Sequence, residues 1–380
     1  MDAGLTPLIV GAGPVGAVCA LALAQQDIRA RVLEAGPENA PADGRTLALS
    51  HGAQLILSRL GVWQRLADVT PITRIHISQR GALGVTRLDA AELDVPALGY
   101  VLSYATLTAA LKQALHEAAV PVEYGVAVEA VQAGSDAAAV MTAAGARRTA
   151  LVVVADGGRS LAAATAKFHR DYAQMALVCD VRTERPHAHQ AYERFTPDGP
   201  VALLPKHDRY GLVWTAHPDV AERLRRLDDP AFLDALHAHF GGRQGRFLQA
   251  GPRKVFPLMM RYAGSEAGAR VVRIGNAAQT LHPVAGQGFN LGLRDAFELA
   301  LACADVPPDA LGNAAMLAAY ARGRRADVAG GLGFTDFLVR AFSNDFALLR
   351  HARGLGLLTL EALPPLKNFV ARRMMFGARG

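Results

Sequence analysis

The chain has 380 residues, 19% of them charged and 51% hydrophobic, which excludes wholesale disorder and leaves room for two domains around a sizeable core. Its three cysteines, Cys19, Cys179 and Cys303, are odd in number and far apart. Neither a disulfide framework nor a zinc site is expected, and a reducing cytoplasm is the simplest compartment.

At the N-terminus Leu8-Ile9-Val10 reads as a strand, Gly11-Ala12-Gly13-Pro14-Val15-Gly16 as a glycine turn and Ala17–Gln25 as a helix. The next strand, from Ala30 to Leu33, closes on Glu34. Each part suits an adenine dinucleotide: Gly11 for a tight turn, Gly13 for backbone approach to a pyrophosphate, Gly16 for close helix–strand packing, and Glu34 to accept from ribose hydroxyls. The uncharged run Ala3–Gln26 contains Pro14, four glycines and two glutamines and lacks a basic leader, so strand–turn–helix is expected rather than a signal peptide or membrane span.

Further along, Ser50 is placed to cap a helix over His51–Leu60, Arg74–Gln79 has strand character, and Leu107–Ala118 reads as a helix. The strand Leu151–Ala155 runs into Asp156-Gly157-Gly158-Arg159-Ser160. From about 172 to 262 the segments Met175–Val181, Ala191–Phe195, Val201–Leu204 and Tyr210–Thr215 alternate like antiparallel strands. Tyr210 and Trp214 share one face there and are candidates for a substrate pocket, or for core packing. Gly241–Gly245 follows a helical segment and reads as a turn, so a second dinucleotide unit is not expected.

The chain then reads Arg270–Ile274 as a strand ended by Gly275, a glycine-rich loop through Gly286-Gln287-Gly288-Phe289-Asn290, and a helix from Leu291 to Leu301. Such a loop aims backbone N–H groups and a positive helix end at an electron-rich ligand. Residues 322–380 hold ten Lys/Arg against four acids, an excess that accounts for the whole net charge of +6. Phe334, Phe337, Leu338, Ala341 and Phe342 recur there at helical spacing. This tail suits an anionic membrane surface, a protein partner, or packing on its own domain with solvated arginines; nucleic acid is not expected.

Three matches fall in order: the Gly11–Gly16 turn with Glu34, then Asp156-Gly157, then Gly275-Asn276-Ala277-Ala278 through Pro283 and Gly286-Gln287-Gly288 to Asn290. Together they resemble the single-component FAD-dependent aromatic hydroxylases related to para-hydroxybenzoate hydroxylase. Asp43–Ser50, Arg74–Gly81 and Arg87–Ala90 look like the ubiquinone-biosynthesis branch, most of all its 2-polyprenyl-6-methoxyphenol hydroxylase subgroup. The resemblance implies an α/β fold of glutathione reductase type. A discontinuous FAD-binding domain (1–73, 97–171 and 263–321) would carry an inserted β-sheet substrate domain (74–96 and 172–262) and a helical tail (322–380).

The same resemblance implies FAD as cofactor, NAD(P)H as transient co-substrate, O2, and ring hydroxylation of a polyprenyl phenol through a flavin C4a-hydroperoxide. Cofactor contacts would come from Gly11, Gly13, Pro14, Val15, Gly16, Glu34, Arg45, Asp156, Gly157, Gly275, Asn276, Pro283, Gly286, Gln287, Gly288, Phe289 and Asn290. Asn276 and Gln279 stand where the family usually has Asp and His, and the amide keeps an acceptor oxygen while losing a charge. His282 is a candidate base for the phenol proton. The expected location is the cytoplasm, peripheral on the inner face of the membrane, with the tail as an anchor dispensable for FAD retention and other ubiquinone-biosynthesis proteins as possible partners. The rival readings are a flavin hydroxylase of another aromatic substrate and a non-catalytic accessory subunit.

Overall fold

The computed structural model describes residues 6–40, 45–158, 166–266, 268–342 and 346–378. The Asp43-Gly44 and Arg159-Ser160 parts of the motifs lie outside the described residues. The chain opens with β1 (Leu8–Val10), α1 (Pro14–Ala24), β2 (Arg31–Glu34), β3 (Thr46–Ser50) and α2 (His51–Arg59). Pro14 begins α1 at a position where no N–H is needed, and Ser50 caps α2 by accepting from the Ala53 N–H at 3.2 Å. Then come β4 (Thr70–Ile72), β5 (Arg74–Gln79), β6 (Val85–Asp89), β7 (Gly99–Ser103), α3 (Tyr104–Glu117) and β8 (Val122–Tyr124). A meander of β9 (Val128–Gln132), β10 (Ala138–Thr142) and β11 (Gly145–Thr149) precedes β12 (Val152–Val154).

The middle of the chain supplies β13 (Phe168–Thr183), β14 (Gln190–Thr196), β15 (Gly199–Lys206) and β16 (Arg209–Ala216). Two helices, α4 (Pro218–Arg226) and α5 (Asp229–Phe240), interrupt the strands before β17 (Phe247–Ala250) and β18 (Lys254–Tyr262). The chain closes with β19 (Val271–Arg273), β20 (Gln279–Thr280), α6 (Gln287–Ala304), α7 (Ala314–Phe342), α8 (Ala347–Ala362) and α9 (Pro364–Phe376).

Five strands form a parallel sheet in the order β19-β12-β1-β2-β8. Both faces of its strands are apolar, as a sheet covered on both sides requires. One face packs under α1, α3 and α6 around Val18, Leu23, Leu107, Leu111, Leu293 and Leu299. The other packs against the β9–β11 meander through Val10, Leu33, Val140 and Val154. The second large sheet runs β20-β18-β13-β16-β15-β14-β5-β6, with β17 beside β13, and its β5–β6 hairpin comes from an early excursion of the chain.

Three expectations change. The helix near residue 290 begins at Gln287, inside the glycine-rich loop, because Gly286 is left-handed (φ 62°) and turns the chain straight into it. β20 belongs to the second sheet, paired with Arg261 and Tyr262, so the loop itself crosses from one sheet to the other. The tail does not start at 322, since α7 runs unbroken from 314 to 342.

Beneath the loop lies a buried ionic cluster. Asp295 on α6 accepts from the Gly275 N–H (3.2 Å), from Gln279 Nε2 and from Arg324 Nε (2.9 Å). Arg324 also donates to Asp327 (2.7 Å), which receives Arg294 and the Ala378 N–H. Burial pushes the Asp295 carboxyl up, and Arg324 opposes that shift. Removing Arg324 leaves the buried Asp295 carboxylate without its cation, while Asp327 keeps Arg294, so Arg324→Met should cost about 3–5 kcal/mol in urea unfolding. An unchanged midpoint would show that the cluster is not what ties α7 to the loop.

Candidate cofactor and substrate site

The three motifs meet at the carboxyl ends of the parallel strands, where α/β sheets bind ligands. Gly11 has φ 106°, and a Cβ there would lie 2.7 Å from the Ala155 carbonyl oxygen and 3.1 Å from Asp156 Cα. A Cβ on Gly16 would fall 2.0 Å from the Gly11 carbonyl oxygen, which is the close helix–strand approach the spacing implies. Asp156 folds its own turn by accepting from the Gly158 N–H at 2.8 Å. Gly158 abuts the Asn276 carbonyl, while Gly275 and Gly292 lie against Val15.

The residues present fit an adenine dinucleotide. Gly13 caps α1 without any side-chain hydrogen bond, leaving the helix N-terminus open to a phosphate. A Cβ on Gly13 would meet nothing closer than Tyr104 Oη at 3.9 Å, so the protein itself does not need glycine there; room for a ligand does. Glu34 accepts from the Ala12 and Gly36 N–H groups at 2.7 and 2.8 Å and keeps further lone pairs for ribose hydroxyls. Arg45 is exposed, with its guanidinium 4.9 Å from the centroid of the Tyr104 ring, beside the same turn.

The second half of the site is held by Asn290. Its Oδ1 accepts from the Ser50 N–H at 2.8 Å, and its Nδ2 donates to the Ala48 carbonyl (3.2 Å) and the Gly286 carbonyl (2.8 Å). The loop Pro283–Gln287 is thereby fixed to β3, with Gly286 against Ala48. Gln287 is buried and reaches the Met374 carbonyl. Phe289 packs on the core beneath, and Gly288 lies against Leu281. Asn276 presents an exposed side chain while its carbonyl accepts from Arg261 at 2.8 Å. Gln279 is an amide donor to Asp295, which gives that departure from the family pattern a structural role.

A cavity of about 590 Å³ starts at this loop. Ala48–Ser50, Pro283, Val284, Gly286 and Gln287 wall one end. The inward residues of β5, β14, β15 and β16 make the floor, and α7, α8 and α9 make the roof. Phe195 of the floor stacks on Phe342 of the roof with ring centroids 4.0 Å apart. Phe337, Leu349 and Leu366 both line the cavity and are exposed, so its mouth lies among them.

Three residues proposed for substrate or catalysis are not in this cavity. Tyr210 and Trp214 do share a strand face, but it is the face covered by α4 and α5, where they pack with Phe232, Leu236 and Phe240. Their neighbours Val213 and Thr215 point the other way and line the cavity. His282 is fully buried beside Tyr172, and its Nδ1 accepts from the Val284 N–H at 3.2 Å. That bond puts the ring proton on Nε2, and burial lowers the pKa to about 4. His282 therefore shapes the turn and has no free lone pair for a phenol proton.

The tail also differs from a solvated basic face. Arg324, Arg353 and Lys367 are buried, with Lys367 on Glu92 at 2.7 Å and Arg353 on the Ala341 carbonyl at 2.6 Å. Its apolar side chains roof the cavity, so the tail is part of the site. Sequence reasoning missed this roof, the Ala48–Ser50 wall, and one carboxylate on the floor, Glu193. An acid between inward-facing Ala191 and Phe195 was the available signal.

The geometry separates the two leading glycines. Gly13→Ala should fold normally and lose FAD affinity by roughly tenfold or more, whereas Gly11→Ala should also lose about 1–3 kcal/mol of stability. Flavin titration of the apoprotein and thermal melts check both, and equal FAD affinity for wild type and Gly13→Ala would refute the assignment.

Residues 5–332 match a family model described as an FAD binding domain. The chain is 35% identical to the ubiquinone hydroxylase UbiL of Rhodospirillum rubrum, across 97% of this chain and 89% of that protein. It is 33% identical to the 3-demethoxyubiquinol 3-hydroxylase of Escherichia coli, across 95% of each. Among solved structures, p-nitrophenol 4-monooxygenase PnpA of Pseudomonas putida shares the fold with a TM-score of 0.79 at 19% identity, over 100% of both chains. HpxO of Klebsiella pneumoniae complexed with FAD shares it with a TM-score of 0.76 at 18% identity, over 99% of this chain and 100% of that one. The chain is thus an FAD-dependent flavoprotein monooxygenase and belongs to the branch of that family formed by the ubiquinone-biosynthesis hydroxylases.

Proposed function

We propose that the protein hydroxylates the ring of a polyprenylated phenol in ubiquinone biosynthesis, with 2-polyprenyl-6-methoxyphenol as the substrate its motifs favour. One observation carries this reading. The cavity begins at the Pro283–Gln287 loop, is lined almost wholly by apolar side chains, and opens between exposed Phe337, Leu349 and Leu366. A ring can sit at the loop while an isoprenoid tail follows the apolar channel outward. A small hydroxybenzoate would leave that channel unfilled and would find few polar groups to hold its carboxylate.

Bound FAD supplies the redox chemistry, taking electrons from NAD(P)H and activating O2. The protein's part is placement and exclusion of water. The open N-terminus of α1 and Glu34 hold the dinucleotide end, and Asn290 fixes the loop against β3 so that the α6 N-terminus favours negative charge beside it. Stacked Phe195 and Phe342, with Val284 and Leu357 around them, keep the reacting end dry. Loss of the protein should cause the unhydroxylated substrate, 2-polyprenyl-6-methoxyphenol, to accumulate, read by mass spectrometry. The purified FAD-loaded enzyme with NAD(P)H should then add one oxygen to that precursor. Turnover confined to small hydroxybenzoates would overturn the substrate assignment.

The same reading places the protein on the inner membrane face. No helix among the described residues is long and apolar enough to cross a membrane. Around the cavity mouth, however, α8, α9 and the end of α7 expose Phe337, Phe346, Leu349, Leu355, Leu358, Leu363, Leu366 and Phe369, with Arg340 and Arg372 also exposed. Apolar side chains ringed by cations suit shallow insertion among anionic lipids. Replacing Phe337, Leu358, Leu363 and Phe369 together by Ser should weaken sedimentation with anionic liposomes by roughly tenfold or more while the protein keeps its FAD. Unchanged sedimentation would exclude this surface.

A further inference from the structure

On the cavity floor the cross-strand row reads Ile77, Glu193, Ala202 and Val213, from β5 through β14 and β15 to β16. Three of the four are what an apolar pocket demands. Glu193 is not: it lines the cavity in register with those three, and it has no hydrogen-bond or ion-pair partner among the described residues. The flanking rows locate it. On one side Ala191 packs with Ile72 and Val101, and Gly211 lies against Thr46 of β3. On the other, Phe195 packs with Val284 of the loop and Phe342 of the roof. Glu193 therefore stands between the β3 wall and the loop, at the end of the cavity where a ring would react.

We propose, resting on the phenol reading above, that Glu193 is the group that binds the substrate's ring hydroxyl and accepts its proton. An acid with only apolar cross-strand neighbours adds nothing to folding, and a donor from the ligand is what it lacks. When its carboxylate takes the phenol proton, the O–H bond electrons stay on the oxygen and spread into the ring, raising nucleophilicity at the carbons ortho and para to it. Once one of those carbons carries the new oxygen, Glu193 returns its proton to the ring oxygen, and the attacked carbon loses its hydrogen as a proton to water, which balances the second atom of O2 released as water. Proton and charge are thereby restored.

Burial raises the Glu193 pKa from 4.5 to about 7, which makes it a stronger base than a surface carboxylate and still partly ionised at neutral pH. The other groups facing the cavity leave that titration to Glu193. Ser50, Thr215, Gln287 and Asn290 are neutral, and the Tyr192 hydroxyl accepts from Gln244 with its ring packed in the core on Phe240. Arg353 from α8 is the other charged lining residue among those described, and it is committed to the Ala341 carbonyl and, with the Gln79 amide suitably turned, to Gln79. From α9 and α7 the lining side chains are apolar, and Lys367 turns away to Glu92. Arg194 occupies the opposite face of β14.

The test compares wild type, Glu193→Gln and Glu193→Leu, all loaded with FAD. The first probe is a long-chain 2-alkylphenol set against its methyl ether, titrated by flavin absorbance from about pH 5 to pH 9. Wild type should prefer the phenol by roughly tenfold or more above pH 7, and both variants should lose that preference. Wild type that fails to discriminate, or a Gln variant that still does, overturns the proposal whichever phenol is the natural substrate. The second readout is coupled hydroxylation of the accumulated precursor. It should rise with pH through about 7 in wild type and fall by about 100-fold with a flattened profile in Glu193→Gln. Wild type that binds the phenol probe but turns over no polyprenyl phenol refutes the pathway reading and leaves the Glu193 assignment standing. Folding supplies a control with a definite sign. Because the folded pKa is raised, wild type should lose stability relative to Glu193→Gln as pH climbs from 4.5 to about 7, and no further above it.

Discussion

Everything in the site depends on backbone segments approaching more closely than side chains would permit. Gly11 lies against Ala155, Gly16 against Gly11, Gly158 against Asn276, and Gly275 and Gly292 against Val15. These contacts draw three motifs, separated by well over a hundred residues, together at the carboxyl ends of the parallel strands. A methyl group at Gly11 or Gly16 would hold the strand and helix ends apart and move the open N-terminus of α1 away from its ligand. The chemistry that follows is local, but its precondition is this absence of side chains.

A second layer converts that meeting point into a rigid platform. Asp295 holds both ends of the Gly275–Gln279 segment, and Arg324 and Asp327 extend the cluster to α7 and to Ala378. Asn290 does the equivalent task for the loop and β3 with three hydrogen bonds from one side chain. A buried, hydrogen-bonded polar network specifies a single arrangement in a way that apolar packing alone does not. The loop that faces the flavin is therefore positioned from below by charge and from the side by an amide.

Much of this was legible in the sequence because it follows local rules. The glycine turn with Glu34, the Ser50 cap and the α/β class rest on short-range chemistry, and the alternating strands from 175 to 215 follow from period-two burial. What could not be read was which face of those strands looks where. Tyr210 and Trp214 share a face with each other as expected, but only α4 and α5 decide that it is the core face. His282 sits beside Pro283 in sequence, yet one backbone hydrogen bond turns its ring out of the cavity. In the tail the charge count could be read but not which side chains face where: Arg324, Arg353 and Lys367 are buried while Phe337, Leu363 and Phe369 are exposed.

The roof has an implication for how the cavity is kept closed. Gly84 and Gly354 lie so close that a Cβ on Gly84 would fall 2.2 Å from the Gly354 carbonyl oxygen, and Thr86 donates to the Leu357 carbonyl at 2.7 Å. The β5–β6 hairpin is thus stitched to a helix made at the opposite end of the chain. Two glycines in main-chain contact offer no side chain that could swing aside, so the roof is closed along the hairpin and the cavity opens instead at Phe337, Leu349 and Leu366. Entry for an apolar molecule and exclusion of water are thereby handled by different parts of the same three helices.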